Sequence, residues 1–178
     1  MKPEELIHKY YASEPALERI LLVHSEAVRN RALEVARRHP ELELDEAFIA
    51  EAAMLHDIGI LRCDAPGIEC HGMEPYIRHG LLGGEILRAE GQPQHARVAE
   101  RHTGTGLTAE AIRRQGLPLP EEDYVPETLE EQVVCYADKF YSKSRLDTEK
   151  TPEQVLRSLA KFGEESVAVF RQWQQRFG

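Results

Sequence analysis

Apolar residues recur at three- and four-residue spacing along most of this chain, and alternation of period two is scarce. That period belongs to the α-helix, because residues three and four apart share one face. A chain patterned this way must bury helical stripes against one another. The expected fold is therefore all-α, a bundle of about six to eight helices, and 178 residues suffice for a single domain, 1–178, with its own core.

Prolines, glycines and capping residues divide the pattern. A helix is expected from about Ala16 to His39, with Pro15 in its first turn and Pro40 stopping it. Leu17, Leu21, His24 and Val28 share its inner face. The next starts at Asp45, a good N-cap, with Leu44 and Ile49 at the spacing of a hydrophobic staple, and is expected to run through Asp57 to Gly59. After the Pro- and Gly-containing loop 61–75 come helices over about Tyr76–Glu90 and Pro93–His102. The turn-rich segment 103–128 has room for a short helix near Ala109–Gln115. A long helix is expected over Leu129–Leu146 and an amphipathic one over Pro152–Phe177. That last helix packs either on the core or on a second chain, which leaves a homodimer open.

The inner stripes carry groups that are costly to bury. In 51-EAAMLHDIGI-60 an apolar helix ends in His56 and Asp57, and His24, His102 and Asp138 also face inward. Each alone has an ordinary reading: a core histidine bonded to a carbonyl, or an aspartate paired with Lys139. Together they need common satisfaction, because a buried aspartate almost always has a partner. Mutual hydrogen bonding is one solution, and a shared divalent cation is the simpler one. Mixed His/carboxylate sets with open positions suit a catalytic ion.

The order His24, His56-Asp57, Asp138, with the pair inside 55-LHDIG-59, resembles the signature of the HD-domain superfamily of metal-dependent phosphohydrolases, over about residues 16–147. The segments 78-RHGLLGGEIL-87 and 101-RHTGTG-106 are similar to those that add two histidines in two-metal members. The resemblance implies one ion on His24, His56, Asp57 and Asp138, and a second on Asp57, His79 and His102. With a single ion, His79 and His102 would instead line the pocket and contact a phosphate. The ion is one or two per chain, of Fe, Mn, Co, Ni, Zn or Mg.

His79-Gly80, His102-Thr103-Gly104 and Ala137-Asp138-Lys139 are similar to pieces of the bacterial HD-family hydrolases that split diadenosine tetraphosphate. Ile60 stands where cyclic-dinucleotide phosphodiesterases often carry lysine, and a GYP motif is missing, which disfavours a cyclic di-GMP phosphodiesterase. The implied function is hydrolysis of a nucleotide or related phosphate ester by a metal-activated water. Asp57 would hold the ion and orient the water, and Lys139 would reach the phosphate. His71 and Arg145 are expected at the substrate. Two other readings use the same scaffold: a di-iron oxygenase and a non-catalytic metal- or nucleotide-binding sensor.

Charge and composition narrow the partners. The formal charge is −9, so no global positive field attracts a nucleic-acid backbone. A small phosphate ester stays compatible, since a bound metal reverses the local field. No run approaches ~20 apolar residues, so no membrane span is expected. The start, MKPEELIHKYY, lacks a signal core, and Cys63, Cys70 and Cys135 are an odd number, which together predict a reduced, cytoplasmic protein. Cys63, Cys70 and His71 lack the paired CxxC spacing of a structural zinc site.

Overall fold

Local signals set most of the helix boundaries in the computed structural model, which describes residues 1–178. Nine α-helices follow one another: α1 (Pro3–Tyr11), α2 (Pro15–Arg38), α3 (Glu46–Leu55), α4 (His79–Ala89), α5 (Pro93–Arg101), α6 (Ala109–Gln115), α7 (Leu129–Asp138), α8 (Pro152–Leu159) and α9 (Glu164–Phe177). The Asp45 side chain accepts from Phe48 N at 2.9 Å and so caps α3. Thr128 with Glu131, and Thr151 with Gln154, form capping boxes that start α7 and α8.

Several boundaries differ from expectation, each for a local reason. Helix α1 was not anticipated; it contributes the buried Leu6, Ile7 and Tyr11. Helix α3 ends at Leu55, and the HD pair lies in its C-terminal turn, before a 3-10 segment over Ile58–Arg62. The long helix expected to reach Leu146 stops at Asp138. Beyond it the chain forms an antiparallel hairpin, β3 (Tyr141–Ser142) with β4 (Arg145–Glu149), after a first small hairpin, β1 (Asp64–Ala65) with β2 (Cys70–His71). Ser142 and Ser144 favour that turn, since the Ser142 hydroxyl accepts from Ser144 N at 3.3 Å in competition with helical bonding. The expected last helix is two, because Gly163 adopts φ +105°, a conformation that breaks the helix and that side chains resist.

The apolar side chains gather in two clusters. One joins α2, α3, α7, α8 and α9 through Val28, Ile49, Val134, Phe140, Val155, Phe170 and Trp173. The other joins α1, α2, α3, α4 and α5 through Ile7, Tyr11, Leu21, Met54, Ile58, Ile86 and Ala99. His24 lies on α2 between Leu21 of the second and Val28 of the first, and His56 follows Ala53 and Met54, one from each. The buried polar groups thus occupy the seam where the two clusters meet. No helix is long and apolar enough to cross a membrane.

Candidate metal centre

Three helices end at this seam. His56 is the C-cap residue of α3, His102 the C-cap of α5, and Asp138 the last residue of α7. Helix C-termini carry partial negative charge, so their convergence favours a cation between them. His24 reaches the same point from the middle of α2, and His79 from the first turn of α4.

Glycines make this convergence possible. A Cβ on Gly59 would overlap the His79 carbonyl oxygen and the Gly83 nitrogen, and one on Gly80 would fall 2.6 Å from the Ala99 carbonyl oxygen. The glycine of the LHDIG stretch therefore lets α4 press onto the turn that follows Asp57. Tyr11 fixes that turn from the other side: its hydroxyl donates to Ile58 O at 2.7 Å and accepts from Leu61 N at 3.2 Å.

The histidines are oriented by backbone carbonyls. His56 Nδ1 bonds to Ala53 O at 2.7 Å, His79 Nδ1 to Tyr76 O at 2.6 Å, and His102 Nδ1 to Ala99 O at 2.7 Å. A carbonyl only accepts, so each Nδ1 carries the proton and each Nε2 points its other valence inward. Two of these carbonyls lie in the last turn of a helix, where carbonyls are left free by the helical ladder. His24 is mid-helix and has no such partner; its Nδ1 is buried and unbonded.

The inward atoms form two sets that share Asp57. On one side, Asp57 Oδ2 lies 3.2 Å from His24 Nε2 and 3.0 Å from His56 Nε2, while Asp138 Oδ1 lies 3.0 and 3.2 Å from the same two nitrogens. On the other, Asp57 Oδ1 lies 3.1 Å from His102 Nε2 and 3.4 Å from His79 Nε2. The two Nε2 atoms of His79 and His102 face each other at 2.9 Å. With both Nδ1 atoms protonated, neutral rings would oppose two lone pairs there, and a cation relieves this. The donor set of two carboxylates and four imidazoles therefore fits a metal ion, and His24, His56, Asp57, Asp138 and Asp57, His79, His102 are the two groups that could hold one.

The protonation equilibria have the same cause. Burial pulls the His56 pKa down, but the Asp57 and Asp138 carboxylates outweigh it and push it up to about 10. Burial and the facing His102 pull His79 down to about 3, against the pull of Asp57. Burial would raise Asp57 and Asp138, yet His56 and Lys143 hold the first, and Lys139 and His24 the second, well below the usual carboxylate range.

Beside the centre opens a cavity of about 460 Å3 that reaches Asp138. Four lysines line it, Lys139, Lys143, Lys150 and Lys161, with Tyr76, Tyr141, Phe162 and three serines. Lys139 Nζ donates to Asp138 Oδ2 and to His102 O, each at 2.7 Å. Lys143 Nζ donates to Asp57 Oδ2 at 2.6 Å. Sequence reasoning passed over Lys143, although it stands four residues after Lys139; the hairpin turn between β3 and β4 brings it to the centre. Two expected substrate residues lie elsewhere. Arg145 is on β4, exposed and outside the cavity lining, because the helix that would have carried it inward ends at Asp138. His71 is exposed on β2 beside Glu69, while its neighbour Cys70 points into the core, as strand alternation requires.

An all-α bundle with a buried His/Asp centre at converging helix ends defines a class of metal-site domain. The HD-domain profile matches residues 21–142, and the chain belongs to the HD-domain family. The protein MJ0778 of Methanocaldococcus jannaschii is 38% identical over 135 residues, 75% of this chain and 70% of that protein. Two archaeal proteins named tRNA (cytidine(56)-2'-O)-methyltransferase also match. That of Picrophilus torridus is 35% identical over 128 residues, 71% of this chain and 33% of the relative. That of Thermoplasma volcanium is 32% identical over 165 residues, 92% of this chain and 42% of the relative. The chain thus spans less than half the length of these two. Among solved structures, the HD domain of the Listeria monocytogenes phosphodiesterase PgpH superposes with a TM-score of 0.57 at 18% identity, covering 94% of this chain and 93% of that one. Its complex with cyclic-di-AMP gives 0.56 at 19%, covering 94% and 92%. At such identities the likeness is one of fold.

Proposed function

We propose that this chain is a metal-dependent phosphohydrolase acting on a nucleotide or a related phosphate ester. One observation carries the reading: two ligand sets sharing Asp57 adjoin a cavity lined by four lysines, in a chain whose net charge is −9. A cation site beside a cationic pocket suits a substrate whose phosphoryl group lies against the first and whose remaining charge lies in the second.

His24, His56, Asp57 and Asp138 would hold one ion, and Asp57, His79 and His102 a second. When bound, a divalent ion lowers the pKa of water and offsets charge on phosphoryl oxygens. The chain's own residues do the rest. The carbonyl-bound Nδ1 protons keep the Nε2 atoms facing inward. The Asp57 carboxylate, buried and accepting from Lys143 on Oδ2, supplies a fixed acceptor at which an attacking water is oriented. Lys139 and Lys143 present ammonium groups where a phosphoryl group enters, and burial of the centre keeps bulk water from competing.

Two names among the similar proteins bear on this. The PgpH domain was solved with cyclic-di-AMP, which is in keeping with a nucleotide ligand here. The methyltransferase name belongs to relatives most of whose length lies outside the match. The test is elemental analysis of protein purified without chelator, together with phosphate release from nucleotides and dinucleotides under added Mn, Co, Ni or Fe(II). Metal bound with phosphate released is the expected result. Iron-dependent O2 uptake without phosphate release would replace the hydrolase by an oxygenase, and metal binding with neither reaction would leave a sensor.

A further inference from the structure

Four lysines face one cavity, but they are not equivalent. Lys139 and Lys143 stand at the centre, where their ammonium groups bond Asp138 and Asp57. Lys150 and Lys161 make no ion pair and no side-chain hydrogen bond, although the chain has 31 acidic residues against 22 lysines and arginines. Within the cavity this sets them apart from Lys139 and Lys143, and elsewhere basic residues do pair with carboxylates, as Arg97 does with Glu127 and Glu131 and Lys9 with Glu90. Lys161 also borders a second groove, which it shares with Glu164 and Glu165, yet it pairs with neither.

The fold holds these two lysines at the cavity. Lys150 follows β4 directly, and its backbone N–H bonds Phe140 O at 2.8 Å, which ties the end of the hairpin to the buried Phe140. Lys161 sits in the 3-10 turn that Gly163 terminates, where the last two helices part. The break in the expected final helix is thus what brings Lys161 to the cavity wall. Like charges gathered this way repel. Burial lowers the pKa of Lys150, and Lys139, Lys161 and Lys143 lower it further against the pull of Asp138. A bound anion would relieve that repulsion. Ser158 of α8 adds a hydroxyl on the same wall, and Leu159 and Phe162 add an apolar surface beside it.

We propose that Lys150 and Lys161 form a second anion subsite, set apart from the His/Asp centre, so that the cavity takes an ester with two or more phosphoryl groups and grips one that does not react. The word ester rests on the hydrolase reading above; the subsite itself does not.

Calorimetric titration of inorganic orthophosphate and of tripolyphosphate into the full chain, with metal content measured before and after, tests it. The wild type should bind tripolyphosphate about tenfold or more tightly than orthophosphate, the gain expected from added charge-assisted contacts. The K150A/K161A double variant should lose that preference and keep its orthophosphate affinity, metal content and Tm. The K150R/K161R variant should regain it. Equal binding of the two anions by the wild type, binding of neither, or an equal loss for both in the double variant would overturn the subsite. Hydrolysis is read separately. A preference for tripolyphosphate with no ester hydrolysed would leave the subsite and remove the hydrolase. Hydrolysis with no preference would do the reverse.

Discussion

The His/Asp centre and the lysine-lined cavity meet at Asp138 yet are built from opposite materials. The centre hangs on helices: three C-terminal ends, a mid-helix histidine and one first-turn histidine, with three imidazoles locked by carbonyls at 2.6–2.7 Å. The cavity is walled largely by short segments: the turn of the β3–β4 hairpin, the 3-10 turn before Gly163, and Gly67 and Ile68 in the 3-10 turn between β1 and β2, with α8 on one side. Their charges are opposite too, carboxylates and helix C-termini against ammonium groups. Helix ends fix ligands to within the tolerance an ion demands, whereas short irregular segments can differ between relatives without disturbing the bundle.

The sharpest way to break the centre alone is Asp57→Ala. Asp57 lies within 3.4 Å of four imidazoles and also accepts from Lys143, so its loss empties both ligand sets. Metal affinity should fall by more than the ~100-fold that loss of an outer-shell partner can cost. Phosphate release should vanish with it. Elemental analysis of the purified variant checks this, and full metal content would make Asp57 a structural residue.

Next in size is Gly59→Ala, which attacks the packing that assembles the centre. The added Cβ meets backbone atoms of His79 and Gly83, which cannot move aside as a side-chain tip could. Stability should drop by about 3 kcal/mol or more, at the upper end of overpacking costs. If the variant folds, it should hold less metal on the His79 side. A Tm within a degree of wild type would mean that α4 does not pack as tightly as the structure has it.

Lys143→Ala sharpens the boundary between the two regions. Lys143 touches the centre through Asp57 but stands on the hairpin of the cavity. As a substrate contact, its loss should lower kcat/KM for phosphate esters by about 10- to 100-fold, the worth of one charge-assisted bond, with metal content unchanged. A fall in bound metal without a change in KM would instead assign it to the centre.

The same division decides what could be read from the sequence. Helices with a clear stripe and a start signal, such as α2 and α3, were legible because period, Pro15 and Asp45 agree. His24, His56, Asp57, His102 and Asp138 were legible as inward polar residues on such stripes, His79 was legible only through the resemblance to two-metal HD-domain proteins, and the structure brings all six together. Lys143, Lys150 and Lys161 were not. Their placement depends on a hairpin whose strands run to two and five residues, and on a helix break at one glycine. Arg145 misled for the same reason, since a helical continuation of α7 points it inward and the hairpin points it out. Helix α1 was missed although Pro3 and Glu5 mark its start, because its buried Leu6, Ile7 and Tyr11 are set among charged residues and draw only a faint stripe.

That missed helix carries the smallest of the expected effects. Tyr11 is fully buried, and its hydroxyl bridges Ile58 O and Leu61 N on the turn after Asp57. Tyr11→Phe keeps the ring and deletes both hydroxyl bonds to the 3-10 turn. Each lost bond costs about 0.5–1.5 kcal/mol, and each 1 kcal/mol lowers Tm by about 2–4 °C in a chain of this size. Thermal unfolding of the metal-loaded and chelated variant tells what the bridge is for. A fall of similar size in both forms makes Tyr11 a stabiliser of the fold. A larger fall in the loaded form means that α1, far from the motif in sequence, holds the turn in the geometry that the centre requires.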